Sequence, residues 1–247
     1  MPRLLVTRPA AQGEALVAAL AARGIDAVHV PTVAIEPGDA SAMRAAVADG
    51  AWDWIVITSV NGVAGLKAAV PLAVTTRVAA VGSSTAAALR DAGMRVDHVP
   101  AQFTTRAVAD GLGDVRGARV LLARADAATP DLHAALVAAG AEVREVVAYR
   151  TLEGPRGARP WLRAALDTPL DGVTFTSGSA VRGLVALLAD DPERLAVARR
   201  LPAACIGPVT AAEAERLGWR AAVVADAHTA IGLADAIARQ LPMEVPA

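Results

Sequence analysis

The chain has 247 residues, 24 Lys+Arg against 25 Asp+Glu, a formal net charge of -1, and 54% hydrophobic against 20% charged residues. This is too apolar for a disordered chain, and it lacks the basic excess or cluster of a duplex-DNA binder, so no nucleic-acid partner is expected. The length suits one large domain or two small ones.

In chain order, Arg8 and Glu14 stand where a signal peptide needs an apolar core, and no uncharged run reaches the roughly 18 residues of a membrane span. A cytoplasmic protein with no membrane partner is expected. Short Val/Ile-rich runs predict strands at Arg3–Thr7, Asp26–Val30, Trp54–Ile57, Arg77–Val81, Arg95–Val99, Arg119–Ala123, Glu142–Val147, Gly172–Phe175, Ala203–Ile206 and Ala221–Val224. They are almost continuously apolar, as parallel strands buried on both faces must be. Helices are predicted at Gly13–Arg23, Ser83–Ala92, Pro130–Ala139 and Pro208–Leu217, ending at Gly24, Gly93, Gly140 and Gly218, where left-handed C-caps belong. The alternation predicts an α/β fold with parallel sheets.

The sequence also repeats itself. A shift of 118 brings Asp53–Leu66 onto Asp171–Leu184, with Asp, Thr-Ser, Val and Gly-Leu in register; a shift of 125 brings Val81-Gly82-Ser83-Ser84-Thr85-Ala86 onto Ile206-Gly207-Pro208-Val209-Thr210-Ala211 and also Thr104 onto Thr229; a shift of 116 brings Arg3–Arg8 onto Arg119–Arg124. We therefore expect two similar, flavodoxin-like parallel-sheet lobes from an internal duplication of about 120 residues. Two extended segments fall outside the pattern, near 31–37 and 146–152, and read as a two-stranded connector. Two crossings make one lobe discontinuous: 1–33 with 150–247, the other being the continuous 36–147.

Ligands of open parallel sheets sit at the carboxyl ends of the strands, where helix N-termini present N–H groups and a favourable dipole to anions. Four such corners carry hydroxyls or glycine: Thr58-Ser59-Val60-Asn61-Gly62, Gly82-Ser83-Ser84-Thr85, Thr176-Ser177-Gly178-Ser179 and Gly207-Pro208-Val209-Thr210. Each serine or threonine also reads as an ordinary helix N-cap. Four equivalent corners in two lobes predict a multiply anionic ligand in a cleft between them, with Arg8 and Arg124, at the ends of equivalent strands, adding fixed positive charge. His29, His98, His133 and His228 lack a second ligand at metal spacing, so no metal is expected. Cys205 is alone, so no internal disulfide forms. No nucleophile elbow, Walker A loop or dinucleotide fingerprint is present. Tyr149, the only tyrosine, lies in a connector; its phenol reads either as a hydrogen-bond or proton donor or as a packed hinge aromatic.

Leu5-Val6-Thr7-Arg8-Pro9, Trp54–Val63, Ala80–Ala86, Val147-Ala148-Tyr149-Arg150-Thr151, Thr174–Val181 and Ile206–Ala211 together resemble the uroporphyrinogen-III synthase family over essentially the whole length. A monomer is expected; the resemblance implies two α/β lobes on a two-stranded connector and a cofactor-free lyase. Such an enzyme closes hydroxymethylbilane, a linear tetrapyrrole with eight carboxylates, to uroporphyrinogen III with loss of water and inversion of the last ring. It implies that Tyr149 donates to the leaving hydroxyl. It assigns carboxylate binding to Arg8, Thr58, Ser59, Asn61, Gly62, Ser83, Ser84, Thr85, Arg124, Thr176, Ser177, Ser179, Gly207 and Thr210. The alternative from another class is a non-catalytic two-lobed binding protein for an anionic small molecule.

Overall fold

In the computed structural model the described residues are 1–67, 76–100 and 105–240, side chains being described at all of these except 105 and 106; Thr104 of the repeat alignment lies outside them. Chain order is β1 (Arg3–Val6), α1 (Ala10–Ala21), β2 (Asp26–His29), β3 (Val33–Pro37), α2 (Ala40–Ala48), β4 (Trp54–Ile57), α3 (Val60–Lys67), β5 (Arg77–Ala80), α4 (Ser83–Asp91), α5 (Thr105–Gly111), β6 (Arg119–Ala125), α6 (Asp131–Ala138) and β7 (Glu142–Glu153). It continues with α7 (Arg159–Leu166), β8 (Gly172–Phe175), α8 (Gly178–Leu187), α9 (Pro192–Arg200), β9 (Ala203–Cys205), α10 (Pro208–Arg216), β10 (Ala221–Val224) and α11 (Ala230–Gln240). The chain divides into two compact units, 1–34 with 152–247, and 35–151.

The first unit holds a sheet of order β10-β9-β8-β1-β2, in which every pairing is parallel. The second sheet has the order β3-β7-β6-β4-β5, with β7, β6, β4 and β5 parallel. Its apolar strands are continuous because both faces are covered. Ile55, Ile57 and Leu121 enter one core cluster with Leu66, Leu89 and Met43. The alternate residues Trp54, Val56, Val120 and Leu122 enter another with Leu112, Leu132 and Leu136. In the first sheet Leu4 and Val6 pack with Leu16, Leu20, Leu233 and Ile237.

The ladders of the two sheets run in the same register once the sequence shifts are applied. Trp54 pairs Val120 as Gly172 pairs Leu4; Ile55 pairs Val78 as Val173 pairs Ala203; Arg119 pairs Glu142 as Arg3 pairs Asp26. The helix-ending glycines Gly24, Gly93, Gly140 and Gly218 all have positive φ, 69–97°, as left-handed caps require.

Two expectations need correction. Arg95–Val99 forms no strand, only a bridge from His98 to Ala79, because the Asp97 carboxylate takes the Val78 N–H at 2.9 Å that a ladder would use. The separate segments Glu142–Val147 and Val146–Thr151 are one strand of 12 residues, β7. Its pairing with β6 slips between Arg124 and Ala125, where Tyr149 comes opposite Ala125. Gly38 N–H donates to Ala148 O at 3.0 Å and Gly154 N–H to Thr32 O at 2.9 Å, so β3 lies antiparallel beside the second half of β7.

Candidate functional site

The four corners all form at the carboxyl ends of strands, β4 and the edge strand β5 in one unit and the interior strands β8 and β9 in the other. Each strand passes within two or three residues into a helix, whose first N–H groups have no intrahelical acceptor. The corners differ in what meets those groups. Ser177 caps α8, its Oγ accepting from Ala180 N at 3.1 Å and lying 2.9 Å from Ser179 Oγ. Ser59 Oγ accepts from Asn61 N at 3.2 Å. Gly82 and Gly207 precede α4 and α10 and supply no side-chain cap, so these two helix starts have no hydroxyl competing with a ligand. Ser83 and Ser84 are exposed there, and Thr58 and Thr176 are half-buried.

Four of the residues expected at the site are drawn into the packing of the fold. Gly62 is buried, its N–H donates to Ser59 O at 3.0 Å, and a Cβ on it would lie 3.3 Å from Ile57 Cγ2 and 3.5 Å from Ala123 O; it fits α3 against β4 and β6 rather than meeting solvent. Thr85 and Thr210 are 5% and 6% exposed, because the third residue of each helix turns toward the sheet, so their side chains leave the corner. Arg124 is 5% exposed. Its guanidinium donates to Ala128 O at 2.8 Å and to Thr129 O and pairs with Glu145 at 3.2 Å, so it braces the turn before α6 instead of standing at the rim.

Arg8 has a different environment. It follows β1, its Nε is buried without a hydrogen-bond partner, and burial lowers its guanidinium from the ordinary value. The backbone oxygen of Arg8 accepts from His29 Nε2 at 2.9 Å. A desolvated cation of this kind favours an incoming anion.

Tyr149 is half-buried on β7 and packs at the margin of the core formed by Ile55, Ile57 and Leu121. The strand beneath it is fixed from two sides: Gly38 N–H on Ala148 O, and α3, whose Gly65 leaves no room for a Cβ, since one would lie 2.7 Å from Ala148 O.

Sequence reasoning missed an ionic chain beside the Ser177 corner. Arg182 forks onto Glu153, with Nε to Oε1 at 3.0 Å and Nη2 to Oε1 at 2.6 Å, and donates through Nη1 to Glu213 at 2.9 Å. Glu213 also accepts from Arg216 at 2.7 and 2.9 Å. Hydrogen bonds from Arg216 and then Arg182 hold the Glu213 carboxyl down at about 2. A cavity of about 450 Å³ opens there, lined by Ser177, Ser179, Arg182, Val209, Glu213 and Arg216. Among the described residues no group of His, Cys, Asp or Glu is placed to hold a metal, and no helix is long and apolar enough to cross a membrane.

Residues 14–235 match the family model described as Uroporphyrinogen-III synthase HemD. The chain is 30% identical over 246 residues to the porphyrin biosynthesis protein HemD of Ruminiclostridium josui, covering 94% of this chain and 47% of that protein, so it spans about half the length of that relative. It is 29% identical over 252 residues to the uroporphyrinogen-III synthase of Synechococcus elongatus, covering 95% of this chain and 93% of the other. A solved structure of a uroporphyrinogen III synthase variant from Thermus thermophilus shares the fold, with a TM-score of 0.66 and 22% identity over 97% of this chain and 98% of that one.

Proposed function

The chain belongs to the uroporphyrinogen-III synthase family, and from that membership we propose that it closes hydroxymethylbilane to uroporphyrinogen III with loss of water and inversion of the terminal ring. The match over residues 14–235 carries this reading. The repeated strand order and register support an internal duplication, in which each unit brings the same set of helix starts to the carboxyl ends of its sheet. β3 and the second half of β7 serve as the connector.

The substrate's eight carboxylates call for many weak, directional anion sites rather than one cationic pocket. Helix starts at Ser59, Ser83–Ser84, Ser177–Ser179 and after Gly207 provide them, with N–H groups and hydroxyls, and Arg8 adds the one desolvated guanidinium of the set. Thr58, Asn61 and Thr176 complete the hydroxyl and amide contacts.

Departure of water from the hydroxymethyl group leaves an azafulvene cation. That cation also closes unaided, without inversion. The protein's task is therefore geometric: it brings the substituted carbon of the last ring, not its free one, to the cation, so that a spiro intermediate forms, fragments and recloses. Holding reacting groups in this way is worth up to roughly 7–11 kcal/mol. A reaction of this kind needs few titratable side chains, in keeping with the absence of a nucleophile–base constellation. Tyr149 donates its phenolic proton or a hydrogen bond to the departing hydroxyl.

Tyr149→Phe tests this assignment. The expected result is a loss of kcat for the type III isomer of at least about tenfold, with KM within about twofold, because the donor acts on the leaving group and not on the carboxylates. An unchanged rate of type III formation removes Tyr149 from the chemistry. A wild-type protein that yields only the type I isomer removes the function itself.

A further inference from the structure

The peptide that carries Arg8 out of β1 is fixed step by step within its own unit. Val6 O accepts from Val30 N at 2.9 Å, and Thr7 O accepts from Thr32 N at 3.2 Å. Thr7 Oγ1 donates to Thr174 O at 2.7 Å. Pro9, the next residue, disfavours a helical backbone at Arg8 and precedes α1 without a side-chain cap. Between these fixed points stands the Arg8 carbonyl, whose oxygen accepts from His29 Nε2 at 2.9 Å.

His29, the last residue of the edge strand β2, reaches that oxygen because α1 makes room for its ring. A Cβ on Gly13 would lie 2.7 Å from His29 Nδ1 and closer still to Nε2 and Cε1, so a side chain at that place would displace the imidazole. The repeated fold stands without this arrangement. By the shift of 116, Gly13 and His29 correspond to Thr129 and Glu145, and Glu145 meets the guanidinium of Arg124, at 3.2 Å. The glycine, the imidazole and the buried, unpartnered Nε of Arg8 thus occur together in one unit, and each is replaced in the other.

The chemistry of the contact suits a positional use. A carbonyl only accepts, so Nε2 is the donor, and the ring restrains Arg8 through its backbone without neutralising its charge. Ordering a long arginine side chain costs conformational entropy. An arginine whose main chain is held beforehand therefore binds an anion more tightly than one that must be ordered on binding.

We propose that His29 is a positioning residue for substrate binding: seated on Gly13 and bonded to the Arg8 carbonyl, it fixes the peptide beyond β1 so that the Arg8 guanidinium is held ready for one carboxylate of the substrate. The inference rests on the synthase reading and on Arg8 as a carboxylate-binding residue.

A double-mutant cycle in the full chain with hydroxymethylbilane tests this, with type I and type III isomers resolved after oxidation. His29→Ala is expected to raise KM about fivefold to tenfold with kcat for the type III isomer within about twofold, since the guanidinium grips a carboxylate and not the reacting atoms. His29→Gln, whose amide N–H replaces the Nε2 donor, returns KM to within about twofold of the unaltered protein. His29→Leu fills the seat on Gly13 without a donor and does not. In an Arg8→Ala background, His29→Ala adds less than about a twofold further rise, because its effect passes through the missing guanidinium. Full additivity in that background, or a fall in kcat at constant KM, overturns the proposal. Should His29→Ala fail to fold, the Gln and Leu variants decide: a higher KM for Leu supports the proposal, and equal KM overturns it. Failure of the synthase reading shows separately, as a wild-type protein that gives no type III isomer, and takes this proposal with it.

Discussion

Arg8 and Arg124 correspond by the shift of 116, yet Arg124 lies within β6 and Arg8 two residues beyond β1, and they have opposite fates. Arg124 has a built-in counter-ion: Glu145, on the neighbouring strand, lies 3.2 Å from its Nη1, and two turn carbonyls accept from its Nη2. The residue at Glu145's place beside Arg8, by the shift of 116, is His29. Its ring contacts the Arg8 backbone oxygen, not the guanidinium, and Arg8 Nε is left buried without a partner. The neighbouring strand offers Glu in one case and His in the other, so Arg124 is paired across the sheet while Arg8 Nε is buried without a hydrogen-bond partner.

That contrast can be broken most forcefully at Arg8. Arg8→Ala removes a charge-assisted contact worth about 1.5–3 kcal/mol, so KM for hydroxymethylbilane is expected to rise roughly tenfold to a hundredfold while Tm stays level or rises slightly. Arg124→Ala reverses the pattern. It leaves two turn carbonyls without their donor and Glu145 with His133 Nδ1 at 3.0 Å, and is expected to cost about 1–3 kcal/mol of stability, less than a fully buried pair because Glu145 is 38% exposed. Thermal melting then shows a drop of several degrees, with KM nearly unchanged in the protein that remains folded.

His29→Glu sharpens the comparison by giving Arg8 the counter-ion that Arg124 has. It is expected to raise KM roughly threefold to tenfold without the loss of stability seen at Arg124, and an unchanged KM means that Arg8 takes no carboxylate. The smallest effect is on acid stability. The Glu213 carboxyl lies at about 2 in the folded chain against 4.5 ordinarily, so the unfolded chain takes up the proton first as pH falls. Its contribution is therefore complete above about pH 4.5 and lost toward about pH 2. Glu213→Gln should flatten that part of the melting-temperature profile and leave the neutral range alone.

The strands were legible because burial on both faces leaves its mark residue by residue, as in Trp54–Ile57 and Gly172–Phe175, whose bounds agree with the structure. Arg95–Val99 was not, since one carboxylate, Asp97, displaces a ladder bond that its apolar neighbours would have made. The corners were found through the repeat, but a corner read from sequence conceals direction: the resemblance implies carboxylate binding by Gly62, Thr85 and Thr210, and each is buried. The ionic chain left no local signal, because Arg182 meets partners 29 and 31 residues away in the sequence, brought together only by the packing of α8, α10 and β7.

The central claim is that helix starts at the carboxyl ends of the strands, in both units, receive the carboxylates. Backbone amide shifts followed during anaerobic titration with uroporphyrinogen III test it most directly. Joint perturbation of Ser59, Ser83–Ser84, Ser177–Ser179 and Val209–Thr210, with Arg8, is expected. Amides at the opposite strand ends, Arg3, Asp53, Arg77 and Asp171, stay still. Perturbation confined to those opposite ends, or to the corners of one unit alone, contradicts it.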